Sequence, residues 1–154
     1  AAEKMSSPQE REELNEKVDF IIKEAAGENQ AASEYLYMLA ACGRIVDDIF
    51  DQDVEFAKED LLTLAEILFV RLPANVFYRE HQDFLFSQHV VMWNAWDISN
   101  VLSNGNATAK IYAHVLRDYI NEVLPLVALL TQGHNKMKDI NSLVRTLFQK
   151  DLGA

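Results

Sequence analysis

Apolar side chains recur every three or four residues along almost the whole chain, and short turns bearing glycine, proline or asparagine separate the runs. That period matches the turn of an α-helix, whereas a half-buried strand needs strict alternation. No stretch alternates over a useful strand length, and no internal repeat is visible. Ser7-Pro8-Gln9-Glu10 has the form of a capping box with proline at the first helical position. Leu14, Val18, Ile21, Ile22 and Ala25 follow at helical spacing, and Gly27 ends the run. The spacing predicts a second helix over Gln30 to Phe50, with Tyr35, Leu36, Leu39, Cys42, Ile45, Val46 and Ile49 turned inward. A third helix, capped by Asp53, carries Phe56, Leu61, Leu64, Ala65, Leu68 and Phe69 on its expected buried face and is broken by Pro73. A fourth runs from Asn75 to Ser103 with a bend near His81, and Asn104-Gly105-Asn106 forms a turn. Asn106 caps a fifth helix, Ala107 to Thr131, which Pro125 should kink. Gly133 closes it, His134 reads as a loop residue, and a sixth helix runs from Asn135 to Lys150 with Met137, Ile140, Leu143, Val144 and Leu147.

Short connections make sequential helices antiparallel neighbours. The expected fold is therefore all-α, a compact antiparallel bundle of five to six helices forming a single domain over residues 1–154. Phe84, Phe86, Trp93 and Trp96 on the fourth helix are expected to fill its centre, because aromatic rings bury the largest areas. Residues 1–6 are expected to be disordered or a vector-derived remnant.

Composition narrows the partners. The chain has 154 residues, of which 49% are apolar, with 14 Lys+Arg against 24 Asp+Glu, a net charge of -10. Such an acidic chain is a poor ligand for nucleic acid or an anionic membrane. A single cysteine, Cys42, excludes an internal disulfide framework and a cysteine-based zinc site. Inside an apolar helical face it reads as a core residue rather than a nucleophile. The longest apolar stretch, Val123 to Leu130, is far too short to span a bilayer, and the polar start is unlike a signal peptide. The expected location is the cytoplasm.

One segment asks for chemistry. Asp47, Asp48, Asp51 and Asp53 fall within seven residues at the end of an apolar helix. Aspartate is a weak helix former, and negative charge is unfavourable at a helix C-terminus. A divalent cation would offset the repulsion. Asp47 and Asp51 lie one turn apart on one face with Asp48 beside them, and hard oxygen donors suit magnesium bridging to a phosphate. The competing reading is a solvated helix exit in which Arg44 pairs with Asp47 or Asp48.

Asp47-Asp48-Ile49-Phe50-Asp51 resembles the DDxxD motif of the class I isoprenoid synthases, an all-helical family. With Arg44 it is similar to the Arg-x-x-Asp-Asp-x-x-Asp segment of squalene and phytoene synthases. The resemblance covers about ten residues. It implies Mg held by Asp47, Asp48 and Asp51 and a diphosphate ligand. The family's second acidic motif has its nearest counterpart in Asp97-Ile98-Ser99-Asn100, which would make Asp97 a fourth metal ligand and Asn100 a ligand-binding residue.

On the fourth helix His89, Trp93 and Asp97 share a face, with Trp96 nearby. His89, Trp93 and Trp96 would then line the ligand, while Arg44 and Arg117 would meet its phosphate. The bland reading of the same face is a core helix with a hydrogen-bonded histidine. No glycine-rich phosphate loop, G-x-S-x-G, H-E-x-x-H or paired E-x-x-H pattern is present. Two functions stay open. One is an Mg-dependent site for a phosphorylated small molecule. The other is a non-enzymatic interaction or structural protein, such as a homo-oligomer or a viral or phage accessory protein, that binds a protein partner.

Overall fold

A computed structural model describes residues 7–51 and 58–148. The fold is all-α, and the chain divides into two compact units, residues 1–80 and 81–154. The expected disorder of residues 1–6, the proposed cap Asp53, the inward placement of Phe56 and the end of the last helix at Lys150 fall outside the described residues.

The first unit holds four helices. Helix α1, Pro8–Ala26, begins as its capping residues require: Ser7 Oγ accepts a hydrogen bond of 3.1 Å from the Glu10 amide. Gly27, at φ 60°, closes it by donating to the Lys23 carbonyl. Helix α2, Gln30–Asp51, starts where Asn29 Oδ1 accepts from the Ala32 amide at 2.9 Å. Tyr35, Leu36, Leu39 and Ile45 are buried at the spacing expected for an inward face, whereas Ile49, expected to continue it, is exposed. The Tyr35 ring lies 5.9 Å from Phe77 and 6.2 Å from Tyr78, centroid to centroid. Burial pushes the Tyr35 phenol far above its ordinary pKa, so it stays neutral.

Helix α3 covers residues 58–74 and corrects two expectations. Pro73 does not break it, because a wide turn at Ile67–Arg71 precedes the proline. There the Leu72 amide donates to the Ile67 carbonyl, five residues back. Widening the turn relieves the clash of a proline ring with the carbonyl four residues upstream. The extra residue also shifts the inward face. Ile67 and Leu72 are buried, whereas Leu68 and Phe69, expected inside, are exposed, Phe69 at 82%; Leu61, ahead of the turn and also expected inside, is exposed as well.

Helix α4, Val76–Glu80, is short and begins at Asn75. Asn75 is buried and works in two directions. Its Oδ1 accepts from the Tyr78 amide at 2.8 Å, and its Nδ2 donates to the Ala31 carbonyl of α2 at 3.0 Å.

The second unit holds three helices: α5, Gln82–Leu102; α6, residues 107–132; and α7, His134–Phe148. His81, at φ -118° and ψ 26°, leaves helical torsion, so the expected fourth helix is two helices. The described residues therefore form seven helices rather than five to six. Asn106 caps α6 through a 2.9 Å bond from the Ala109 amide. A 3-10 segment at Asp118–Glu122 interrupts α6 one turn ahead of Pro125, where the missing proline amide would otherwise leave a carbonyl unpaired. Val123, Leu124, Val127 and Ala128 are buried along α6, and Ile140 and Val144 along α7. Gly133 alone links these two helices, at φ 99° and ψ -178°, a region almost restricted to glycine. His134 opens α7 and is not a loop residue.

The aromatic residues of α5 overturn the expected centre. Phe84, Phe86 and Trp93 are exposed at 59%, 56% and 61%. The face of α5 that is buried carries Leu85, Ala95 and Ser99 instead. Small residues there allow close helix approach, and the large rings are left on the outer side.

Candidate functional site

The negative charge at the acidic end of α2 is offset in part by Arg44. Arg44 Nη1 lies 3.4 Å from Asp48 Oδ2, and Arg44 Nη2 lies 4.0 Å from Asp60 Oδ1 on α3. One guanidinium thus bridges two carboxylates that would otherwise repel, as the solvated-exit reading required. Asp47 and Asp48 are half-buried and consecutive, so they project about 100° apart around the helix rather than toward one ion. Asp51 ends α2, and its side chain is not among those described. Among the described residues, no three His, Cys, Asp or Glu side chains are grouped to hold a metal ion. The Asp47–Asp51 pair on which the DDxxD resemblance rests therefore includes a side chain outside the described residues.

Asp97, proposed as a fourth ligand, sits exposed on α5 in the other unit. Arg117 and Asn100 are brought together, but by each other: Arg117 Nη2 donates to Asn100 Oδ1 at 2.6 Å. His89 is half-buried, and burial pushes its imidazole below its ordinary pKa of 6.5. Trp93 and Trp96 stack with centroids 5.6 Å apart. Cys42 is half-buried, and burial raises its thiol pKa against a smaller lowering by Arg71, which leaves it a poor nucleophile near neutral pH.

Sequence reasoning missed a groove of about 720 Å³ in the second unit. Gln88 and Val91 line it from α5, His114, Asp118 and Glu122 from α6, and Arg145 and Phe148 from α7. Glu122 and Arg145 form an ion pair across it. Gln88 Nε2 is buried there with no hydrogen-bond partner. An orphaned amide donor of this kind costs about 1–3 kcal/mol. Two carboxylates with one arginine, itself already paired, make the groove a poor receptor for phosphate. No local motif announces it, since its residues come from three helices.

The second missed feature is the outer face of α5. Phe86, Val90, Trp93 and Val101 follow one another at intervals of four, three and eight residues and are exposed at 56%, 53%, 61% and 65%. At 3.6 residues per turn they form one stripe. The 21 residues of α5 carry only two carboxylates, Asp83 and Asp97, and no lysine or arginine, whereas 25% of the whole chain is charged. Exposed rings, low charge and helical register are the marks of a docking face. No helix among the described residues is long and apolar enough to cross a membrane. Comparison with protein-family models, with curated proteins and with solved structures finds no match to this chain.

Proposed function

We propose that this chain is a non-enzymatic helical interaction protein whose docking element is α5. The exposed stripe of Phe86, Val90, Trp93 and Val101 carries the reading. A helix that is apolar around its circumference needs cover on every side, and the packing within the second unit supplies it on one side. Trp and Phe are also the side chains that contribute most when a pocket or second helix encloses them.

The magnesium–diphosphate reading is weaker, because Asp48, one of its carboxylates, already pairs with Arg44. A thermal-shift titration separates the two. Magnesium with pyrophosphate should leave the melting temperature unchanged, because nothing stabilises a folded protein without binding it. A rise abolished by Asp47→Asn with Asp51→Asn would overturn the interaction reading in favour of a metal–phosphate site. For the docking face itself, the fluorescent apolar probe ANS should bind the native chain and lose most of that binding in Phe86→Ser/Trp93→Ser. Equal binding by both proteins would show that α5 is not the apolar face on offer.

A further inference from the structure

We infer that the occupant of the α5 stripe is a second copy of this chain, docked antiparallel with the two helices crossing between Trp93 and Asn94. This rests on the interaction reading above and names its partner.

The stripe is matched to itself. When α5 meets its own copy head to tail about that point, Phe86 opposes Val101 and Val90 opposes Asp97, while the two Trp93 rings meet beside the two-fold axis. Any helix has this symmetry against its own copy; what is particular to α5 is that it joins Phe86 to Val101 and brings the two Trp93 rings together. A parallel pairing has two-fold symmetry as well but sets Asp97 directly against Asp97, a like-charge contact that costs stability. In the antiparallel pairing the two carboxylates stand about 10 Å apart along the axis, near the screening length of physiological salt.

The area fits. The four side chains leave roughly 450 Å² of mainly apolar surface open on each copy, taking about 150–250 Å² for a whole aromatic side chain. A standard interface of about 800 Å² per partner is about 55–65% apolar, which requires a similar area. Charge agrees as well. Each copy carries a net charge of -10, which opposes close approach in general. The face that meets its twin carries no lysine or arginine and two carboxylates, Asp97 within the stripe and Asp83 at its N-terminal end, beyond the paired positions. Asp97 opposite Val90 is then a built-in limit on affinity.

Sedimentation velocity of the full chain between about 1 and 100 μM tests the pairing. The expected particle has twice the 17.5 kDa chain mass at the upper end. Trp93→Glu and, separately, Phe86→Glu should raise the dissociation constant by about a hundredfold or more with unchanged helical circular dichroism. Asp97→Ala should tighten it by roughly five- to tenfold, a gain that misfolding does not produce. A chain that stays monomeric in both native and Asp97→Ala forms overturns the proposal, as does a dimer indifferent to Trp93→Glu and Phe86→Glu. Both tryptophans lie on α5, so acrylamide quenching of their emission separates this failure from that of the wider reading. Ready quenching in a monomer removes only the second copy as occupant. Strong shielding in a monomer shows the face covered within its own chain, and the docking function falls with it.

Discussion

Arg117 on α6 donates to Asn100 on α5 through a 2.6 Å hydrogen bond between guanidinium Nη2 and side-chain Oδ1. A charged donor makes this one of the stronger polar ties in the second unit, and it is half-buried. Arg117→Ala should lower stability by about 1.5–3 kcal/mol. Urea unfolding checks this. Asn100→Ala should cost a comparable amount, and the double variant should cost clearly less than both singles together if the two residues act as a pair.

Asn75 caps the start of α4 and reaches back to α2 with the same side chain. Asn75→Ala removes the cap and leaves the Ala31 carbonyl without this donor. The expected loss is about 2–3 kcal/mol, larger than for an ordinary helix cap. Asn75→Asp should retain the cap bond to the Tyr78 amide and lose the donor, giving an intermediate stability by denaturant titration.

His89 sets a pH dependence. Burial lowers its folded pKa, so the unfolded chain takes up a proton first as pH falls. The resulting stability is complete above the ordinary imidazole value of 6.5 and is lost as pH drops toward the folded pKa. The melting temperature should therefore fall between pH 7 and pH 5, and His89→Gln should flatten that slope while the carboxylates continue to titrate below it.

Gln88 carries a buried amide nitrogen without a partner, on the wall of the second unit's groove. Gln88→Leu keeps much of the volume and removes the orphan. Stability should rise by about 1 kcal/mol. A loss of similar size would show that the amide is satisfied in solution, by water or by a groove ligand.

Gly133→Ala tests the link between α6 and α7. Nothing lies within 4 Å of an added Cβ, so sterics with neighbours are not at issue. The backbone at φ 99° is the sole obstacle, and it should cost about 1–3 kcal/mol. Calorimetric melting of the variant checks the value.

The fold class and most helix limits were legible because helical period, capping residues and turn glycines are local signals. Ser7, Asn106, Gly27 and the inward face of α2 all follow from neighbours within four positions. Leu68 and Phe69 were misread because a wide turn shifts the period by one residue, and periodicity assumes a constant turn. Phe86 and Trp93 were misread for a different reason. On a helix apolar all round, pattern says how much must be covered and not which side meets the chain's own core. Arg117 and Asn100 each read as a ligand-binding candidate, and a sequence does not show that two residues 17 positions apart are each other's partner. At the α2 terminus the density of aspartates was plain, whereas the guanidinium that reaches Asp60 from Arg44 crosses to another helix and has no signature at short range.

The wide turn ahead of Pro73 has one more consequence. It contains one residue beyond what a regular helix needs, and its middle positions, Leu68 to Val70, all face solvent. That surplus residue uncouples the phase of the helix before it from the phase after it. A variant that loses one of these residues, together with the proline, becomes a regular helix in which the positions of Ile67 and Leu72 stand four apart, about 40° around the axis. Both then keep their inward direction, whereas regularising the turn without the deletion would set them about 140° apart and turn one of the two toward solvent.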